Sequence, residues 1–264
     1  MTRKEEEKYL DKEWKAMNVH LKSFLENGDQ EELHKFRVQI KKVRAVLSLI
    51  EGTSGKKALL REFKPVRKIF KHAGHIRDAH TNLQLGERYG LKNEVFEAGQ
   101  QKIIEEGTSM FRSSGEKHLK NIKDSYKQVK KQLSKIDDNL IADFYKNLLE
   151  QIAGTLAQPD FTGEMHNSRK LIKFLVYNHK IADKALNGSL HLNSEYLDKL
   201  QSTIGEWHDN VVAAQLFASP ELNDQPVVVK INKKNAGVKR RITTLANDFI
   251  RKATTPAELV NVGL

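Results

Sequence analysis

Two groups of residues occur twice in this 264-residue chain, in register, and that repeat limits the folds open to it more than any other feature. His34, Arg37 and Lys41 return as His166, Arg169 and Lys173 at one constant offset. Gly74, Arg77, Asp78 and Leu85 return as Gly205, His208, Asp209 and Leu216 at an offset one residue shorter. The segments before each group, residues 4–26 and 138–157, correspond as helices. Self-similarity over so long a period marks a duplicated supersecondary unit. The expected fold class is all-α: two tandem four-helix repeats, about 4–135 and about 138–253, packed about a pseudo-two-fold axis within one domain. A basic groove between them would be lined from both sides, and residues 254–264 read as a weakly ordered tail.

Helical periodicity runs through nearly every segment. Leu10, Trp14, Met17, Leu21 and Phe24 share one face of the first helix, and Asn27-Gly28-Asp29 stops it and starts the next. The second helix runs to about Glu51 and the third from about 56 to 88, with Pro65 marking a kink or a late start. Residues 91–135 are helical with a break near Ser113-Ser114-Gly115, and helices follow at 138–157, 163–186 and 194–218. Val227-Val228-Val229 is read as the start of a last helix ending near Ala253 rather than as a strand.

The segment 33–50 has no acidic residue and carries two stripes. Leu33, Phe36, Ile40, Val43 and Leu47 form an apolar seam, and His34, Arg37, Lys41 and Arg44 repeat its spacing one residue later. At about 100° per residue the cations lie beside the seam, where a solvated face of mixed sign would lie opposite it. Unpaired cations near a core are costly, so either carboxylates meet them or they line a wet groove that takes an anion. Lys64, Arg67 and Lys71 extend the pattern on the next helix. Lys120, Lys123, Lys127 and Lys130 repeat it beside Leu119, Ile122, Tyr126 and Val129. Residues 117–135 hold seven lysines against one acid, Asp124. Lys239 and Arg240, in an acid-free cluster at 230–241, are the counterpart in the second half. Arginine offers a planar fork of donors and lysine a compact charge, and both suit phosphoryl oxygens.

His34 and His166 head equivalent stripes, and an anion beside them would raise their pKa and let each donate two hydrogen bonds. Arg77 falls on an apolar seam and needs an acidic partner, so Arg77, Asp78, His208 and Asp209 are read as structural ion-pair residues, the aspartates anchoring arginines or helix termini.

The net charge of +11 fits polyanion binding, and the absence of cysteine excludes disulfides, thiolate catalysis and thiolate metal sites. No apolar run approaches the ~20 residues of a membrane span, and the charged start does not read as a secretory signal, so a cytoplasmic protein without membrane partners is expected. No metal or other cofactor is expected. His208-Asp209 and His72-x-x-His75 with Asp78 are faint echoes of a metal-dependent phosphohydrolase, but basic surroundings would repel a dication. No phosphate-cradling loop or nucleophile–base pair is present, so the chain is expected not to be an enzyme. Nucleic acid is the stronger rival ligand, since phosphate neutralisation is blind to sequence. Against it, aromatics make up only 7 % of the chain and fall mostly on seams, which leaves few platforms for bases.

The paired motifs HKFRVQIKKVR and HNSRKLIKFLVY, with GHIRDAHTNL and GEWHDNVVAAQL, resemble the CHAD family, the conserved-histidine α-helical domain, over about residues 4–253. The resemblance implies two four-helix bundles around a basic central pore that binds inorganic polyphosphate, in a stand-alone version without a fused triphosphatase, sited in the cytoplasm or at polyphosphate granules. The second copy departs from the pattern. Phe174 and Val176 stand where the first has Lys42 and Arg44, and Glu195 and Asp198 replace Lys64 and Arg67. The second repeat is therefore expected to be the poorer anion ligand.

Overall fold

The computed structural model describes residues 1–55 and 58–254, and every regular element among them is a helix. In order these are α1 (Arg3–Asn27), α2 (Gln30–Ser54), α3 (Leu59–Glu62), α4 (Lys64–Tyr89), α5 (Glu94–Ser113) and α6 (Gly115–Gln132). They are followed by α7 (Asp138–Ala157), α8 (Gly163–Ala185), α9 (Ser194–Phe217), α10 (Gln225–Ala246) and α11 (Phe249–Thr254). The chain divides between Ile136 and Asp137 into two compact units, with Met1 grouped with the second. None of the described helices is long and apolar enough to cross a membrane.

In the first unit α1 packs on α2, α2 on α4, α4 on α6 and α6 back on α1, while α5 lies along α4. The apolar seams drive this closure. Leu10, Trp14, Met17, Leu21 and Phe24 of α1 and Leu33, Phe36, Ile40, Val43 and Leu47 of α2 are all at most 3 % exposed. Each such side chain contributes roughly 1.5–3 kcal/mol by leaving water. The α1–α2 corner is set by Gly28, which ends α1 at φ 74°, and by Asp29, whose side chain accepts from the Glu31 N–H at 2.9 Å. In the second unit α7 packs on α8, α8 on α9 and α9 on α10, with α11 against α7 and α9.

Two helix boundaries differ from the sequence expectation. The helix expected from about 56 is divided into α3 and α4, and Pro65 stands in the first turn of α4, where its missing N–H costs nothing. Residues 56–57 lie outside the described residues, as does the tail from 255 on. The last helix breaks at Asn247-Asp248, where Asp248 takes φ 54°, a left-handed conformation that aspartate tolerates better than most residues. The Val227–Val229 run lies in the first turns of α10, capped by Asp224, which accepts from the Val227 N–H at 3.2 Å.

Candidate anion-binding site

The cationic stripe of α2 does not face outward on its own. It runs antiparallel to a matching row on α4. His34 stands by Arg77, Arg37 by Gly74 and Phe70, Lys41 over the Phe70 ring at 5.8 Å, and Arg44 by Arg67. Going up one helix means going down the other, so the pairs follow one another like rungs.

Arg37 is the best defined rung. Its Nη1 donates to the Phe70 carbonyl at 2.6 Å, and its Cζ sits 4.1 Å from the centre of the Phe70 ring. Phe70 is one turn before Gly74, so that carbonyl already serves the helix and gives the arginine its second lone pair. A Cβ on Gly74 would lie 2.9 Å from Nη1, so only glycine leaves the approach open. The second unit repeats the construction. Arg169 Nε donates to the Gln201 carbonyl at 3.1 Å, one turn before Gly205, and a Cβ there would meet Nη2 at 2.8 Å and Nε at 2.9 Å. His166 and His208 stack face to face, centroids 3.9 Å apart, at the positions where the first unit has His34 and Arg77.

No carboxylate within 4 Å joins Arg37, Arg44, Lys64, Arg67 or Lys71 among the described residues. Burial pulls the Arg44 guanidinium below its usual value, and Arg67 adds to the effect. Burial does the same to Arg37, where Asp78 opposes it and Arg77 adds to it. His34 is lowered by burial first and then by Arg77. Lys64, Arg67, Lys68 and Lys71, with Arg61, border a depression of about 410 Å³ along α3 and α4. Here single-sign charge meets a concave surface. In the second unit the ladder ends differently. Lys173 lies 5.9 Å over the Tyr177 ring; burial and Arg169 lower its pKa, while Asp198 and Asp209 oppose them. Asp198 stands where the first unit has Arg67, so this ladder is shorter and partly compensated.

Several expected site residues are placed otherwise. Lys130 is neutralised by Glu7 at 3.5 Å and Asp11 at 3.7 Å. Lys120 and Lys123 turn toward α1, so the α6 stripe does not share a groove with α2 and α4. Lys127 is exposed on α6. On α10, Lys239 lies 5.0 Å over the Phe161 ring and Arg240 is exposed, while Lys234 and Arg241 are held by Glu206 at 3.7 and 2.6 Å. The structural ion pairs expected of Arg77, Asp78, His208 and Asp209 do not form among the described residues. Arg77 instead contacts His80 Nδ1 at 2.6 Å, and Asp78 and Asp209 are exposed. The charge of Asp78 acts instead on Arg37, and that of Asp209 on Lys173 and His208. Lys68 belongs to the acid-free run 64–77 and Phe70 to an apolar seam, but neither the place of the first on the depression nor that of the second as a platform for Arg37 is legible from the sequence. Gly74 and Gly205 were visible as repeats, but their purpose was not.

His72 lies among aromatic rings. It packs 5.1 Å from Phe111 and 5.9 Å from His118, and the described residues hold no group of three or more His, Asp or Glu placed to bind a metal. A cavity of about 1500 Å³ lies near the start of α2, the end of α4 and α5, but its rim includes Glu87, Glu94, Glu97 and Glu105 rather than the cationic ladder.

The fold has counterparts among known proteins. The family profile described as "CHAD domain" matches residues 8–218. A crystal structure of the CHAD domain from the plant Ricinus communis superposes with a TM-score of 0.63, covering 96 % of this chain and 90 % of that one at 15 % identity. No curated protein matches the chain.

Proposed function

We propose that this chain, which belongs to the CHAD domain family, binds inorganic polyphosphate along the paired cationic rows of α2 and α4, with a weaker contribution from α8 and α9. The observation that carries the reading is the meeting of Arg44 and Arg67 beside Lys64 and Lys71 with no carboxylate in reach among the described residues. Burial and the nearby Arg67 both disfavour the charged form of Arg44, and a bound anion would relieve that strain. The ligand's identity comes from the family resemblance. The role is that of a binder rather than a catalyst, acting in the cytoplasm and at polyphosphate granules. We read the chain as a duplicated unit because the Arg37–Gly74 and Arg169–Gly205 contacts recur at equivalent positions.

Competition tests the reading. Labelled long-chain polyphosphate is bound at physiological salt and challenged with unlabelled polyphosphate, single-stranded DNA and double-stranded RNA at equal phosphate concentration. Polyphosphate should compete at least about tenfold better, and its affinity should fall steeply with salt. Equal competition by nucleic acid would sink the assignment. Phosphate release with magnesium or manganese, abolished by His208→Ala, would make the protein an enzyme instead.

A further inference from the structure

The lysines of α6 that turn away from α4 need an explanation of their own. In the first unit α1 and α6 meet on the edge of the helical ring opposite the α2–α4 edge. Between them lies a depression of about 870 Å³. Lys15 and Lys22 of α1 stand on one wall and Lys120 and Lys123 of α6 on the other, all exposed and without an ion pair among the described residues. The floor is apolar. Val19 is 54 % exposed there, beside Leu119 and Tyr126. Asp11, which with Glu7 holds Lys130, closes one end with negative charge.

We propose that this groove docks an acidic amphipathic helix from a protein partner. A phosphate chain has no apolar surface to cover Val19 and Leu119. A nucleobase finds no free ring. Trp14 is 3 % exposed, with Phe63 at 5.5 Å and Tyr126 at 5.1 Å, and Tyr126 itself carries Lys130 at 5.6 Å. A helix with a leucine-type ridge flanked by carboxylates satisfies floor and walls together. Lys15 and Lys22 are two turns apart, about 10 Å along α1, which matches carboxylates spaced i and i+7 on one flank of the partner. Carboxylates on the other flank meet Lys120 and Lys123. The acidic end repels the partner's own acids and so sets its register.

The probe is a synthetic 18-residue helical peptide with leucines at i, i+4 and i+7 and glutamates on both flanks, offered to the full chain carrying Trp207→Phe so that Trp14 is the remaining indole. The peptide should shift Trp14 emission and bind at least about tenfold more tightly than a scrambled peptide of the same composition. Lys15→Glu with Lys123→Glu, at exposed positions, should weaken it by about tenfold or more without changing the thermal melt. Equal binding of the scrambled peptide, or unchanged binding by the double variant, overturns the proposal. So does a loss of polyphosphate affinity in that variant equal to the loss in Arg44→Glu with Arg67→Glu, because the groove would then belong to the phosphate site.

Discussion

Arg169 lies so close over Gly205 that a single added methyl would sit 2.8 Å from Nη2, 2.9 Å from Nε and 3.0 Å from Cζ. Arg37 and Gly74 share the relationship more loosely, with Nη1 alone under 3.0 Å. Gly74→Ala and Gly205→Ala therefore set two effects against each other. Alanine gains about 1 kcal/mol of helix propensity, and the displaced guanidinium loses one charge-assisted hydrogen bond of about 1.5–3 kcal/mol. Both variants should stay folded, with stability changed by no more than about 2 kcal/mol. Polyphosphate affinity should fall, and titration against labelled polyphosphate checks this. Unchanged affinity in both would mean the arginines' placement is irrelevant to the ligand.

Gly107 makes the contrasting case. A Cβ there would meet Ile76 Cγ1 at 2.9 Å, and Ile76 is 1 % exposed. A buried branched side chain cannot swing aside as an arginine tip can. Gly107→Ala should cost about 1–3 kcal/mol despite its helix propensity, by overpacking α4 against α5. Urea denaturation measures it, and polyphosphate affinity below the transition should stay at the parent value.

His118 predicts a pH dependence of stability. It is buried against Phe111 at 4.5 Å, and burial first, then His72 and Lys117, pull it down to about 4. The unfolded chain takes up this proton near pH 6.5, before the folded chain does. Stability is therefore full above that pH and is lost as the pH falls from about 6.5 toward 4, by at most about 3 kcal/mol. His118→Phe should flatten most of the slope. Urea midpoints at pH 7 and 4.5 that do not differ in the parent would refute it.

Ligand binding should take up protons. Burial and neighbouring cations hold His34 and His208 below the ordinary histidine value, although Asp209 opposes this at His208. A polyanion reverses the field and favours the charged rings. Polyphosphate affinity should thus rise as pH falls from about 7.5 to 6. Calorimetry in two buffers of different ionisation enthalpy should report net uptake, and net release would contradict the placement of these rings.

Lys130 and Arg67 should behave oppositely. Lys130 is engaged by Glu7 and Asp11 and is 37 % exposed, so Lys130→Gln should cost at most about 1 kcal/mol and leave polyphosphate affinity alone. Arg67→Gln should leave stability intact and weaken binding. A salt titration of each variant separates the two, since only the second should lower the slope.

The α1 and α2 seams were legible because burial alone sets their 3,4 spacing, and every seam residue named for them is buried. The direction of a charge was less legible. Arg37 and Lys130 have the same local pattern, one residue past an apolar seam, yet one meets a glycine-opened backbone and the other meets carboxylates more than a hundred residues away in sequence. Helical pitch tells which face a side chain leaves from. It does not tell which helix stands opposite. Asp78 shows the same limit: among the described residues it makes no ion pair within 4 Å, and its charge is felt by Arg37 on the neighbouring helix α2.

The ladder also bears on speed. Cations that need not first let go of an internal carboxylate present their full field to an approaching polyanion, and low-dielectric walls focus it. Capture should then be limited by diffusion and strongly damped by ionic strength. Release, rung by rung, would let a long chain creep along the helices without ever leaving them.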